Sequence, residues 1–144
     1  MKNARSWLFA LITLSSVSFA SPSVAQVTDD ERRATTTAEA WLLVMDVGRF
    51  GEAWEGASTG FRAAVSRDAW VKQAAAVRSP LGNVKSRKVV SVSSQKNPPG
   101  APSGDYVIVV FETDFAESSP TRRETVSVYR EVDGSWRVTG YFVR

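Results

Sequence analysis

The sequence predicts an α+β fold in which three N-terminal helices pack on a curved four-stranded antiparallel sheet. Two observations carry that expectation. Apolar residues recur at helical spacing as far as Leu81-Gly82 and at strand spacing beyond it. Helices and strands that are segregated along a chain, instead of alternating, form an antiparallel sheet with the helices set apart from it. A third observation bounds the chemistry: the 144 residues include no cysteine and no histidine. A Cys/His zinc site, a cysteine nucleophile, a disulfide framework and a Ser-His-Asp triad each lose a required member.

The first helix is opened by Thr28, whose hydroxyl can cap orphan N–H groups while Glu31 closes the box. Ala34, Ala38, Trp41, Leu42 and Met45 form its apolar stripe, and Gly48 ends it. A second, shorter helix holds Phe50, Ala53, Trp54 and Ala57 and ends at Ser58-Thr59-Gly60. Ser66 caps a third, with Trp70, Ala74, Val77 and Leu81 as its stripe and Pro80 and Gly82 as its stop.

The period then changes. Residues 84–95 read as the first strand, and Asn97 to Gly104, with three prolines and two glycines, cannot continue a ladder. Tyr106 to Phe111 is apolar on both faces, which predicts a central strand covered on both sides. Val126, Val128 and Val132 alternate on a third strand. Asp133-Gly134 marks a tight hairpin into Trp136, Val138, Gly140 and Phe142.

The chain opens on what reads as an address. Lys2 and Arg5 precede an uncharged, mostly apolar run from Trp7 to Phe19, and Ser23-Val24-Ala25 supplies the small residues of a cleavage site. The run is shorter than the about 20 apolar residues of a membrane span. Residues 1–25 are therefore expected to be a signal peptide. Residues 26–144 are then one exported domain, periplasmic or secreted, with no stable membrane anchor after processing. Losing Lys2 and Arg5 brings the 18 basic groups to within one of the 15 acidic ones. A nucleic-acid partner, which needs a clustered basic face, is not expected.

Four segments occur in order: Val77-Arg78-Ser79-Pro80-Leu81-Gly82, Ser86-Arg87-Lys88, Pro99 to Tyr106, and Asp133-Gly134-Ser135-Trp136-Arg137-Val138-Thr139-Gly140-Tyr141. Together they resemble the bacterial exported family known as domain of unknown function 4019, from about Ala38 to Arg144. The closing Asp-Gly-x-Trp-Arg-Val also resembles the final hairpin of the nuclear-transport-factor-two-like superfamily, cystatin-like cones with a helix-lined cavity. The resemblance implies an exported location and a cone-shaped fold. That superfamily holds both enzymes and binding domains, so it implies no one activity.

Candidate sites follow from residue type and position. Trp54 and Trp70, with Phe61, can line a cavity mouth, and the same tryptophans, with Trp41 and Trp136, also suit the core. Lys85, Arg87 and Lys88, preceded by Arg78, form a basic cluster. On a regular strand Lys85 and Arg87 face one side and Lys88 the other. The cluster reads as a charged edge strand or as a site for an anionic partner, which Arg122-Arg123 join only if the fold brings the segments together. Glu112 and Asp114 share a face near Glu124 and are expected at a solvated strand end, partnered by Arg122 and Arg123. Asp29, Asp30 and Glu31 lack the spacing and glycine of a calcium loop.

The expected function is a non-catalytic binding module of the cell envelope. Its partner would be a small apolar ligand or an envelope protein, with no cofactor, no metal and every carboxylate at the surface. Two alternatives stay open. One is a small cavity enzyme, isomerase- or hydrolase-like, that pairs Asp46, Glu112 or Asp114 with Tyr106, Tyr129 or Tyr141, as the superfamily resemblance implies. The other is an interaction module whose sheet face forms a homodimer or docks a partner.

Overall fold

The computed structural model describes residues 26–144; the expected leader, 1–25, lies outside the described residues. Helix α1 (Asp29–Asp46) begins at Thr28, whose hydroxyl accepts from the Glu31 N–H at 3.2 Å while the Glu31 carboxylate accepts from the Thr28 N–H at 2.9 Å. Both halves of the anticipated capping box are thus made. Its buried residues are the expected stripe: Ala34, Ala38, Trp41, Leu42 and Met45. Gly48, at φ +74°, turns the chain away in a conformation that a side chain resists.

Among the described residues the helical layer holds four α-helices where three were expected. Helix α2 (Phe50–Glu55) stops short of Ala57, because the Ser58 hydroxyl accepts from the Phe61 N–H at 3.1 Å and starts α3 (Thr59–Ala64). Helix α4 (Arg67–Arg78) is capped by Ser66 and tightens into a 3-10 turn, Ser79–Leu81. Its buried face is Trp70, Ala74 and Arg78, in steps of four. Val77, assigned to that stripe by its apolar character, is 48% exposed. The place of an aliphatic side chain is taken by a guanidinium that finds its partners inside.

The sheet is the expected antiparallel meander, β1 (Val84–Lys96), β2 (Asp105–Phe115), β3 (Arg122–Arg130) and β4 (Trp136–Val143), in that spatial order. Bulges interrupt β1 between Val84 and Ser86 and between Val89 and Ser91, and the β3–β4 pairing shifts at Ser127/Val128. Such bulges bend and twist a sheet. Val107, Val109, Phe111, Val126, Val128 and Val138 face the helices and are buried. On the other face of β2 only Tyr106 is buried, its hydroxyl donating to the Pro102 carbonyl, while Ile108 and Val110 are half-buried, so the expected double cover is made at the start of the strand alone. Val132 lies beyond β3, fully exposed in the hairpin, because the strand ends at Arg130.

Aromatic side chains fill the space between the layers. Trp41 packs on Trp70 and Tyr141, with ring centroids 5.9 and 5.3 Å apart, and Phe61 meets Trp70 edge-on at 5.1 Å. The Trp41 and Trp70 indole N–H groups donate to the backbone carbonyls of Ala53 and Phe50 at 2.8 and 3.0 Å, which ties α1 and α4 to α2. Buried tryptophan usually finds such a partner for its one polar atom; the indole N–H of Trp136 is buried without one among the described residues.

Candidate functional site: a buried ionic cluster

Charged groups occupy one end of the space between helices and sheet. Asp46 is the last residue of α1 and Arg78 the last of α4. Each strand adds one residue: Arg87 from β1, Thr113 from β2, Glu124 from β3 and Tyr141 from β4. Glu124 is 0% exposed and Arg78 5%.

The Glu124 carboxylate accepts four hydrogen bonds and that of Asp46 three. Oε1 of Glu124 accepts from Arg87 Nε at 2.8 Å and from the Thr113 hydroxyl at 2.6 Å. Its Oε2 accepts from Arg78 Nη1 at 3.2 Å and from the Tyr141 hydroxyl at 2.5 Å. Oδ1 of Asp46 accepts from Arg78 Nη2 at 2.6 Å and Arg87 Nη2 at 2.9 Å, and Oδ2 from Arg87 Nη1 at 2.7 Å. Two acids and two guanidiniums leave no formal charge. Buried ions are tolerated when partners of opposite charge and hydrogen bonds surround them; here, among the described residues, Arg78 Nε is the one guanidinium nitrogen of the cluster that is buried without a partner. The Arg78 guanidinium also lies over the Phe115 ring, 5.0 Å from its centroid.

Burial works to raise the Asp46 pKa, but hydrogen bonds from Arg87 and Arg78 outweigh it and hold the carboxyl below its usual range. Burial, then the charge of Glu124, pushes the Tyr141 phenol well above its usual value. Arg87 is held more strongly protonated than a free guanidinium, because its two carboxylate partners outweigh its desolvation.

Three clefts reach the cluster. One of about 370 Å³ is lined by Asp46, Arg78, Ser79 and Asn83. One of about 180 Å³ meets Arg87 between Glu39, Leu43 and Val89. The third, about 200 Å³ and mostly apolar, lies among Trp70, Ala74, Val77, Tyr141 and Phe142. Among the described residues, no group of three or more acidic side chains could hold a metal ion, and no helix is long and apolar enough to cross a membrane.

The residues singled out by sequence are placed as follows. Trp70 lines the apolar cleft, Phe61 packs on it, and Trp54 is anchored by its indole N–H to the Val65 carbonyl at 2.7 Å. Lys85, Arg87 and Lys88 do not share a surface. The bulge between Val84 and Ser86 breaks the alternation, so Arg87 turns inward while Lys85 and Lys88 both act on Asp114. Glu112 pairs with Lys88 and Arg123, at 3.1 and 3.7 Å; Arg122 donates instead to the Ser118 hydroxyl. The expectation that every carboxylate stays at the surface fails at Glu124. Its signal was available, since Glu124, Val126 and Val128 are in phase on the inward face of β3.

An α+β domain with helices on one face of a bulged meander and a neutral ionic cluster at its heart defines the class. The chain belongs to the family described as protein of unknown function (DUF4019), whose model matches residues 37–141. No curated protein matches it. Among solved structures, a protein from Catenulispora acidiphila shares the fold at 14% identity and a TM-score of 0.51, over 78% of this chain and 88% of that one. A candidate scytalone dehydratase from Novosphingobium aromaticivorans aligns at 12% identity and a TM-score of 0.46, over 80% and 83% of the two chains.

Proposed function

We propose that the protein is a non-catalytic binding module of the bacterial cell envelope, exported by its first 25 residues. One observation carries the reading: Glu124 is fully buried with two donors on each oxygen, and Asp46, 16% exposed, is held on both oxygens by arginine. A general base needs a lone pair free to reach substrate. The helix-lined space that could hold a substrate is filled by Trp41, Trp70, Tyr141 and the ionic cluster.

The apolar cleft beside Trp70 is the binding locus. Val77 and Phe142, 48% and 62% exposed, flank it. At about 200 Å³ it falls below the roughly 300–1,000 Å³ of ordinary ligand pockets. It suits a short aliphatic or aromatic group, free or carried on an envelope protein. Titrating purified protein with decanoate and with indole while reading tryptophan fluorescence tests this. A saturable change that Val77→Arg abolishes is expected; no response from either probe, together with turnover of an ester or isomerase substrate, overturns it. Cell fractionation, and a mature mass that starts at Gln26, tests the export.

A specific contact favours a cavity enzyme as the second reading. The protonated Tyr141 phenol, at the lip of the same cleft, gives its one O–H to Glu124 Oε2 at 2.5 Å, and would act as an acid only by exchanging that bond for one to a bound oxygen. Loss of turnover in Tyr141→Phe with binding retained would favour it.

A further inference from the structure

The outer face of the sheet carries a transverse row of charges that its own residues do not balance. Lys88 on β1 pairs with Glu112 on β2, Glu112 with Arg123 on β3, and Arg123 with Arg144 just past β4. Arg123 and Arg144 exchange both backbone hydrogen bonds, each at 3.0 Å, so their side chains leave the same face directly opposite one another. Like charges placed opposite across a ladder destabilise it. The one acid of the row, Glu112, is already shared between Lys88 at 3.1 Å and Arg123 at 3.7 Å. Among the described residues, no acidic side chain lies within ion-pairing distance of Arg144 or Arg122; Asp114, at the edge of the cleft, accepts from the Thr121 hydroxyl, and the Arg144 main-chain oxygen from the Arg123 N–H. A cleft of about 600 Å³ opens here, lined by Glu112, Thr121, Arg122, Arg123 and Arg144.

We propose that this cleft binds a phosphate group, held between the guanidiniums of Arg123 and Arg144. The guanidinium fork matches phosphate oxygens in pairs, and a bound anion removes the repulsion between the two opposed arginines. The excess charge is local. The rest of residues 26–144 is close to neutral, so a general attraction for anions does not account for it. The site lies on the sheet face opposite the ionic cluster and does not depend on the apolar cleft.

The phosphate could be carried by a lipid headgroup or by a soluble molecule, and two probes distinguish them. Purified protein is titrated with inorganic pyrophosphate by calorimetry, and co-sedimented with phosphatidylglycerol vesicles against phosphatidylcholine ones. Binding to the vesicles alone identifies a lipid headgroup; binding to pyrophosphate identifies a soluble phosphate. In either case the Arg123→Gln/Arg144→Gln double variant weakens it about tenfold or more, and Lys96→Gln, near the far end of the sheet, leaves it unchanged. The double variant should melt no lower than wild type in the absence of anion, because it relieves a like-charge pair; Arg144→Gln alone serves if it does not fold. Binding to neither probe, or equal binding by wild type and variant, overturns the proposal.

Discussion

Arg78, at the end of α4, reaches Glu124 on β3 across 46 positions of sequence, Nη1 to Oε2 at 3.2 Å. With Arg87 and Asp46 it links the helical layer to the sheet. Removing one member of such a buried set leaves an uncompensated charge, which costs about 3–5 kcal/mol. Glu124→Leu should lose that much in urea denaturation. Adding Arg78→Met to it should cost less than the two single losses together, because the partners fail jointly. Strictly additive losses would show that the pair is energetically idle.

Asp46 makes stability depend on acid. Its folded pKa lies below the ordinary 3.8, so the unfolded chain takes up the proton first. The contribution is complete above that ordinary value and is lost as pH falls through it toward the folded one. Melting temperature should therefore fall steeply below about pH 4, and Asp46→Asn should melt lower at neutral pH with a shallower acid decline.

Tyr141 acts at the other end of the scale. Its phenol is raised above the ordinary 10.0, so an unfolded chain loses the proton where the folded one keeps it. That contribution is complete below pH 10 and is lost as pH rises beyond it. Tyr141→Phe should flatten the alkaline limb of the stability profile. At neutral pH it should cost about 1–3 kcal/mol, because Glu124 Oε2 and Arg78 Nη1 each lose a partner. An unchanged alkaline limb in the variant would assign that limb to other groups.

Much of this architecture is legible in the sequence because it rests on local rules. Thr28 and Glu31, Ser66, Gly48 and Asp133-Gly134 each act through a neighbour a few positions away, and each does in the fold what its local chemistry dictates. The ionic cluster is a different kind of object. Asp46, Arg78, Arg87 and Glu124 look like surface charges one at a time, and only tertiary packing shows that they neutralise one another. Two periodicities nonetheless point inward: Arg78 continues the four-residue step of Trp70 and Ala74, and Glu124 keeps phase with Val126 and Val128. Arg87 carries no such sign, since a one-residue bulge ahead of it reverses the alternation and leaves no mark in composition. Helix α3 escaped because Ser58-Thr59-Gly60 reads as the stop of α2, whereas Ser58 caps the helix that follows.

Ser58 is where that missed helix meets the sheet. Its hydroxyl accepts from the Phe61 N–H at 3.1 Å and donates to Thr139 Oγ1 at 2.8 Å, and its own N–H donates to the Val138 carbonyl at 2.8 Å on the edge of β4. The residue is fully buried, so no water replaces a lost bond at little cost. Ser58→Ala keeps the backbone bond to Val138 but removes the cap and leaves Thr139 short of a partner. It should cost about 1–2 kcal/mol, in the range of N-cap losses, and should raise proteolysis within α3 before the rest of the chain opens. A loss below about 0.5 kcal/mol would mean that α3 is held by Phe61 packing on Trp70 and not by its cap.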